Sequence, residues 1–264
     1  MELLIYQNLK KMKSIFKISY FLLLALSFNS CSKDDETSNS NNSSLEVENI
    51  KDRTINGMAL NIFKPKNGVV KGIVILGSGN DPQDPTPGDI NDSYLINLSN
   101  SLAVKGFVCA IVQYRDQPFV GNNFENFNSN TAMLLADFNG VANTLKDENN
   151  LGRDKLIFGG SSYAANCLLS QNALGNNMTD IKGIIAIIGS CEVDTSKNQK
   201  VPILAFACNN EPFGTNYGQT IVQNITNSTT KSNSFGLTDT SCNGHSTSNQ
   251  WIATIIDKVV IWIP

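Results

Sequence analysis

The segment Lys155-Leu156-Ile157-Phe158-Gly159-Gly160-Ser161-Ser162-Tyr163-Ala164-Ala165-Asn166 carries an apolar run straight into small residues and then into a helix-like stretch. A serine hydroxyl is a poor nucleophile at its free pKa, so a reactive serine must stand on a tight turn, clear of the sheet and within reach of a general base. In the Gly-x-Ser-x-Gly pattern Gly160 takes the first place, Ser162 the nucleophile's place and Ala164 the last, an Ala for a Gly. Tyr163 then offers its backbone N–H to an oxyanion. The other register, centred on Ser161, sets Tyr163 where strand and helix need a small residue to approach, which favours Ser162. The chain holds one histidine, His245, so a serine–histidine pair has no other base. His245 follows an apolar segment and precedes a final helical pattern from Gln250 to Ile263, downstream of the serine as the order Ser, acid, His requires. The acid is expected between them. Ile203 to Ala207 reads as a buried strand, and Glu211 follows on the loop at its C-terminal end, where ligand chemistry gathers in an open parallel sheet. A carboxylate there accepts a hydrogen bond from the imidazole and stabilises the imidazolium formed when Ser162 is deprotonated. Glu192, Asp194 and Asp239 are competing carboxylates on neighbouring loops.

These residues need a scaffold, and the rest of the chain reads as one. Apolar runs at Met58–Pro65, Gly72–Gly79, Gly106–Arg115, the elbow strand, Ile181–Ile188 and Val201–Ala207 alternate with helical spacing over Tyr94–Val104 and Thr131–Lys146. Such alternation predicts an α/β fold with a mostly parallel central sheet and helices on both faces. Right-handed crossovers then bring the strand C-termini, with Ser162, Glu211 and His245, to one edge. The roughly 215 to 230 residues that remain after a leader suffice for one large core and leave little for a lid. The irregular stretch Gly79–Asp92, with three prolines, is a candidate rim for a substrate.

With these residues placed, the chain resembles the α/β-hydrolase superfamily from about Asn49 to the C-terminus. Met58-Ala59-Leu60-Asn61-Ile62-Phe63-Lys64-Pro65 is similar to the early strand that ends in an aromatic and a proline in many esterases. Gly72-Ile73-Val74-Ile75-Leu76-Gly77-Ser78-Gly79 resembles the strand that leads into the oxyanion loop, with Leu76 where the family often has His. The resemblance implies that Ser78, or else Gly79, gives the second oxyanion N–H, and the ending Tyr114-Arg115 reads as structural. It also implies a serine esterase acting on small or polymeric carboxylic esters through an acyl-enzyme, without a cofactor. Compact dienelactone-hydrolase-like and polyester-hydrolase-like members look most similar. Peptidases and other esterases use the same fold. A second reading is a non-catalytic α/β-hydrolase-like surface protein that holds a glycan or peptide, to which Ala164, Leu76 and a glutamate acid leave room. Of the five cysteines after Cys31, Cys109 and Cys167 lie in apolar segments and read as buried. Cys208 and Cys242 lie three residues before Glu211 and His245. Some secreted polyester hydrolases join these two loops by a disulfide, while Cys191 competes as a partner for either, so the connectivity stays open.

The N-terminus reads as an export signal over residues 1–30, with a basic region of Lys10, Lys11, Lys13 and Lys17 before the apolar run Ile18–Phe28, and with Met12 as an alternative start to Met1. Phe28-Asn29-Ser30-Cys31 resembles a lipoprotein lipobox, which would make Cys31 the lipidated mature terminus and the membrane a partner through that anchor. Ser32-Lys33-Asp34-Asp35-Glu36 resembles the acidic tag that sends Bacteroidetes-type lipoproteins to the cell surface. The expected location is therefore the outer membrane, facing outward; ordinary secretion or a periplasmic enzyme is the alternative. Residues 31–45 are polar and read as a flexible tether, leaving 46–264 for the hydrolase-like domain. A net charge of −3 and the lack of a basic stripe argue against nucleic-acid binding. Gly77-Ser78-Gly79 lacks the lysine of a phosphate loop, and no Cys/His spacing suits a metal.

Overall fold

Strands buried on both faces are apolar throughout, whereas edge strands tolerate polar residues. The computed structural model of the protein, which describes residues 45–79, 88–115, 127–171 and 178–264, sorts its strands in this way. The expected signal segment, Cys31 and nearly all of the expected tether lie outside the described residues. Among the described residues eight strands form one sheet: β1 (Val47–Ile55), β2 (Met58–Pro65), β3 (Gly72–Gly77), β4 (Phe107–Val112), β5 (Leu156–Ser161), β6 (Gly183–Ile187), β7 (Ile203–Asn209) and β8 (Phe235–Asn243). Their order is β1-β2-β4-β3-β5-β6-β7-β8. The β1–β2 and β2–β4 pairings are antiparallel, and every pairing from β4 to β8 is parallel. Strands β3, β4, β5 and β6 are buried at every residue.

Helices α1 (Ser93–Ala103), α2 (Phe127–Glu148), α3 (Tyr163–Ser170), α4 (Val193–Lys197), α5 (Gln219–Asn224), α6 (Ser228–Ser232) and α7 (Trp251–Trp262) connect or follow the strands. Because side chains alternate across a strand, β3 sends Ile73 and Ile75 to one face and Val74 and Leu76 to the other. The first face packs on Leu134, Phe138 and Val141 of α2 and Leu168 of α3. The second packs on Leu95, Leu98 and Leu102 of α1 and on Trp251, Ile255 and Val259 of α7. The chain thus has a mostly parallel sheet with helices on both faces, as expected, and no lid-sized insertion follows β6 or β7 among the described residues.

Several boundaries shift for local reasons. Helix α1 begins at Ser93 because the Asp92 carboxylate accepts the Leu95 N–H at 2.9 Å, a capping bond. Helix α2 starts at Phe127 rather than Thr131, since its first turn, Asn128-Ser129-Asn130, carries no apolar period. Strand β3 stops at Gly77 and β4 at Val112, two and three residues earlier than the apolar runs suggest. Strand β6 spans Gly183–Ile187 and β7 runs on to Asn209. The two outermost strands and the short helices α4, α5 and α6 had no clear signal. Strand β1 is mostly polar and slips register between Ile50 and Arg53, where Asp52 has a φ of 56°.

Gly183 shows how closely one face is filled: a Cβ there would stand 2.4 Å from Cζ3 of Trp262. Gly183→Ala is therefore expected to destabilise the fold by about 1–3 kcal/mol through overpacking, read as a lower urea midpoint at unchanged m-value.

Candidate active site

Strand β5 ends in Ser161, and the next residue, Ser162, adopts φ 50° and ψ −114° before α3 begins. A non-glycine residue in that region is strained and persists only where its surroundings hold it. The Ser162 N–H donates to the Ile187 carbonyl of β6 at 2.8 Å, and the Ser162 carbonyl accepts from the Asn166 N–H at 2.9 Å. Small residues make room for the turn. A Cβ on Gly160 would lie 2.7 Å from the Ala164 Cβ, and one on Gly189 would lie 2.5 Å from the Ala165 Cβ. At the last place of the motif, Ala164 is thus tolerated because Gly160 opposite it has no side chain.

The turn presents Ser162 Oγ 2.8 Å from His245 Nε2, and His245 Nδ1 lies 2.8 Å from Glu211 Oε1. A carboxylate only accepts, so Nδ1 carries the proton and Nε2 accepts from the serine hydroxyl. The Glu211 side chain is 1% exposed and that of His245 26%. Oε1 also accepts the Phe213 N–H at 3.2 Å, while the buried Oε2 has no partner among the described residues. Two of the three competing carboxylates are engaged elsewhere. Asp194 pairs with Lys197, whose hydrogen bond and charge hold its carboxyl below the usual range. Asp239 accepts from Ser241 and from Trp251 Nε1, and those bonds, Ser241's first, lower its pKa likewise. Glu192 stands at the head of α4.

Acid and base come from adjacent strand ends, β7 and β8, and several links join them. A disulfide connects Cys208 to Cys242, leaving Cys191 outside the pair. The Gly244 N–H donates to the Asn209 carbonyl at 2.8 Å, and Asn210 Nδ2 donates to Asn243 Oδ1 at 3.0 Å. Cys109 and Cys167 are buried as expected, and burial pushes the Cys191 thiol up to about 12.

The oxyanion candidates flank the serine. Tyr163 opens α3, and Ser78 follows β3 directly. The Gly79 N–H is taken by Ser161 Oγ at 3.1 Å, whereas the Ser78 N–H meets no acceptor among the described residues. The Ser78 carbonyl accepts from the Tyr114 hydroxyl at 2.9 Å, and its Oγ accepts the Asp89 N–H. Tyr114 is thus structural, as expected. Arg115 behind it donates its backbone N–H and guanidinium to buried Asp137. Leu76 is wholly buried in β3. Most of the expected rim, residues 80–87, lies outside the described residues.

Some site residues had little signal in the sequence. Phe213 is 66% exposed and sets its ring edge-on to the His245 imidazole, with centroids 4.7 Å apart. Asn166, one turn beyond the serine, accepts the Ser190 N–H at 2.6 Å, and Ser190 Oγ donates to the Phe213 carbonyl at 3.2 Å. Buried Asn216 exchanges hydrogen bonds with Cys191 and accepts from Asn224. Only the i+4 spacing of Asn166 from Ser162 was available beforehand. No group of three metal-binding side chains occurs among the described residues.

No protein-family model matches the chain, and no curated protein matches it in sequence. Solved structures do match its architecture. TT1662 from Thermus thermophilus is 13% identical with a TM-score of 0.58, the match covering 83% of this chain and 99% of that one. A Klebsiella pneumoniae protein assigned as a dienelactone hydrolase is 13% identical with a TM-score of 0.55, over 83% and 98%. XC6422 from Xanthomonas campestris, described as a serine hydrolase without a lid, is 13% identical with a TM-score of 0.54, over 84% and 96%. At such identity the likeness speaks for the fold, and the chain has the α/β-hydrolase fold.

The Cys208–Cys242 link closes a loop between residues 34 apart in sequence. Its removal in Cys208→Ser/Cys242→Ser is expected to cost about 3–4 kcal/mol on the chain-entropy scale, measured by urea unfolding of oxidised wild type against the double variant.

Proposed function

We propose that the protein is a serine hydrolase that cleaves carboxylic esters, with Ser162 as nucleophile, His245 as general base and acid, and Glu211 as the group that orients His245. The observation that carries the reading is the continuous relay of two 2.8 Å contacts from Ser162 Oγ through His245 to Glu211 Oε1. Ser162 Oγ attacks the ester carbonyl carbon while its proton passes to Nε2, and the carbonyl oxygen becomes an oxyanion held by the Tyr163 and Ser78 N–H groups. Collapse of the tetrahedral species breaks the C–O bond to the alcohol, and the leaving alkoxide takes the proton from His245. Water then attacks the acyl-serine, giving up a proton to the same nitrogen, and the acid departs as the proton returns to Ser162. Glu211 stays ionised throughout and stabilises the imidazolium.

The relay also weighs against the non-catalytic reading, because a vestigial serine has no need of an aligned base or of a strained backbone at Ser162. The open edge and the exposed Phe213 beside His245 suit an ester, small or polymeric, that docks without a lid. We further propose that residues 1–30 are an export signal, that Cys31 carries a lipid, and that the polar segment to residue 45 tethers the enzyme to the outer membrane, facing outward.

Purified full-length protein is expected to be labelled by a fluorophosphonate and to hydrolyse p-nitrophenyl acetate and butyrate. Ser162→Ala is expected to abolish labelling and to lower kcat by about 10⁴ or more, with His245→Ala similar, because the pair acts as a unit. Glu211→Gln is expected to lower kcat by roughly 10² to 10⁴ with little change in KM. A wild type that is neither labelled nor active on any ester would return the case to the binding reading.

A further inference from the structure

The two oxyanion donors belong to separate parts of the chain: Tyr163 to the elbow after β5, and Ser78 to the loop after β3. The β3–β5 ladder ends at the Gly77–Gly160 pair, so the loop leaves the sheet just where a donor must be fixed. Donors displaced by a fraction of an ångström lose much of their effect on a developing charge.

We infer that Ser161 is a positioning residue that locks the oxyanion loop to the nucleophile turn, an inference that rests on the hydrolase reading. Its Oγ accepts the Gly79 N–H at 3.1 Å, across 82 residues of sequence, and the residue is 4% exposed. The bond carries the β3–β5 connection one step past the last ladder pair. It also occupies the Gly79 N–H, which leaves Ser78 as the loop's donor. The loop lies against the nucleophile itself: a Cβ on Gly79 would stand 2.9 Å from Ser162 Cβ and 3.4 Å from Ser162 Oγ. A backbone that passes so near leaves no room for a side chain at Gly79, and the Ser161 hydroxyl holds its N–H. Tyr114 and Asp89 anchor Ser78 by its carbonyl and its hydroxyl, but neither belongs to the elbow. Ser161 does. Standing next to Ser162, it makes the Ser78 and Tyr163 donors move as one body with the attacking oxygen. The second serine of the Ser161-Ser162 pair in the motif is thus the nucleophile, and the first is the fastener.

The test compares Ser161→Val with Ser161→Thr in the full-length protein, since both add similar bulk and only Thr keeps the acceptor. With p-nitrophenyl acetate and butyrate, Ser161→Val is expected to lose about 10- to 100-fold in kcat, in acylation and deacylation alike, at a KM within about threefold of wild type. Ser161→Thr is expected to restore most of that loss at a similar thermal midpoint, and Ser161→Ala to resemble Val. Equal losses in Val and Thr, or a wild-type kcat in Ser161→Ala, would overturn the inference. So would fluorophosphonate labelling that disappears in Ser161→Ala and persists in Ser162→Ala, which would make Ser161 the nucleophile. An unlabelled, inactive wild type would instead overturn the hydrolase reading and this inference with it.

Discussion

The site depends first on one backbone conformation, the φ of 50° at Ser162. Such a residue costs roughly 1–3 kcal/mol, and its surroundings explain how it persists. The Ile187 carbonyl at the end of β6 takes the Ser162 N–H. Gly160, Ala164, Gly189 and Ala165 clear the space in which α3 presses on β5 and β6. The central strands supply the rigidity, because each is buried along its length and paired on both sides. A strained turn is best built at the middle of a sheet, where few alternatives compete. There it sets Ser162, the proposed nucleophile, beside the loop whose Gly79 N–H donates to Ser161.

The other half of the relay is built at the weaker end of the sheet. Strand β8 has no fully buried residue, and among the described residues it pairs only with β7. An edge strand with such exposure has little burial to hold its register. The disulfide, the Gly244–Asn209 bond and the Asn210–Asn243 bond supply what burial does not. A fourth tie runs from α3 through Asn166 and Ser190 to the Phe213 carbonyl, joining the helix after Ser162 to the loop that carries Glu211. Ser162 and His245 are therefore held by different physics, chiefly core packing for one and specific bonds for the other.

That difference also decided what could be read in the sequence. Strands β2 to β7 and helices α1, α2, α3 and α7 were legible because their apolar periods record burial. Ser162, His245 and Glu211 were legible because a strand-end turn, a lone histidine and a post-strand carboxylate each constrain chemistry locally. Strand β1 was not, since most of its residues are polar, and β8 read only as a short apolar segment ahead of His245, so that both follow from the neighbours they pair with. Phe213, Ser190 and Asn216 were hidden for a related reason: their partners lie on other loops, at sequence separations that no spacing rule covers. Ser161 was visible but ambiguous. Adjacent serines differ only in which way the turn points them, and that is a property of the backbone.

Glu211 shows how stability and chemistry pull apart at such a site. Its Oε1 receives both His245 and the Phe213 N–H, while Oε2 is buried without a partner among the described residues. An unsatisfied buried acceptor typically costs about 1–3 kcal/mol, so the arrangement does not serve folding. Under the proposed hydrolase reading it would serve the step in which His245 becomes an imidazolium. A carboxylate shielded from water is screened least, and its attraction for a charge forming beside it is correspondingly strong. Further hydrogen bonds to Oε2 would steady the glutamate and spread its charge away from the imidazole. Under the same reading, the exposure gradient, from the covered Glu211 to the partly open His245 and the exposed Phe213, would let substrate reach His245 while the carboxylate behind it stays covered.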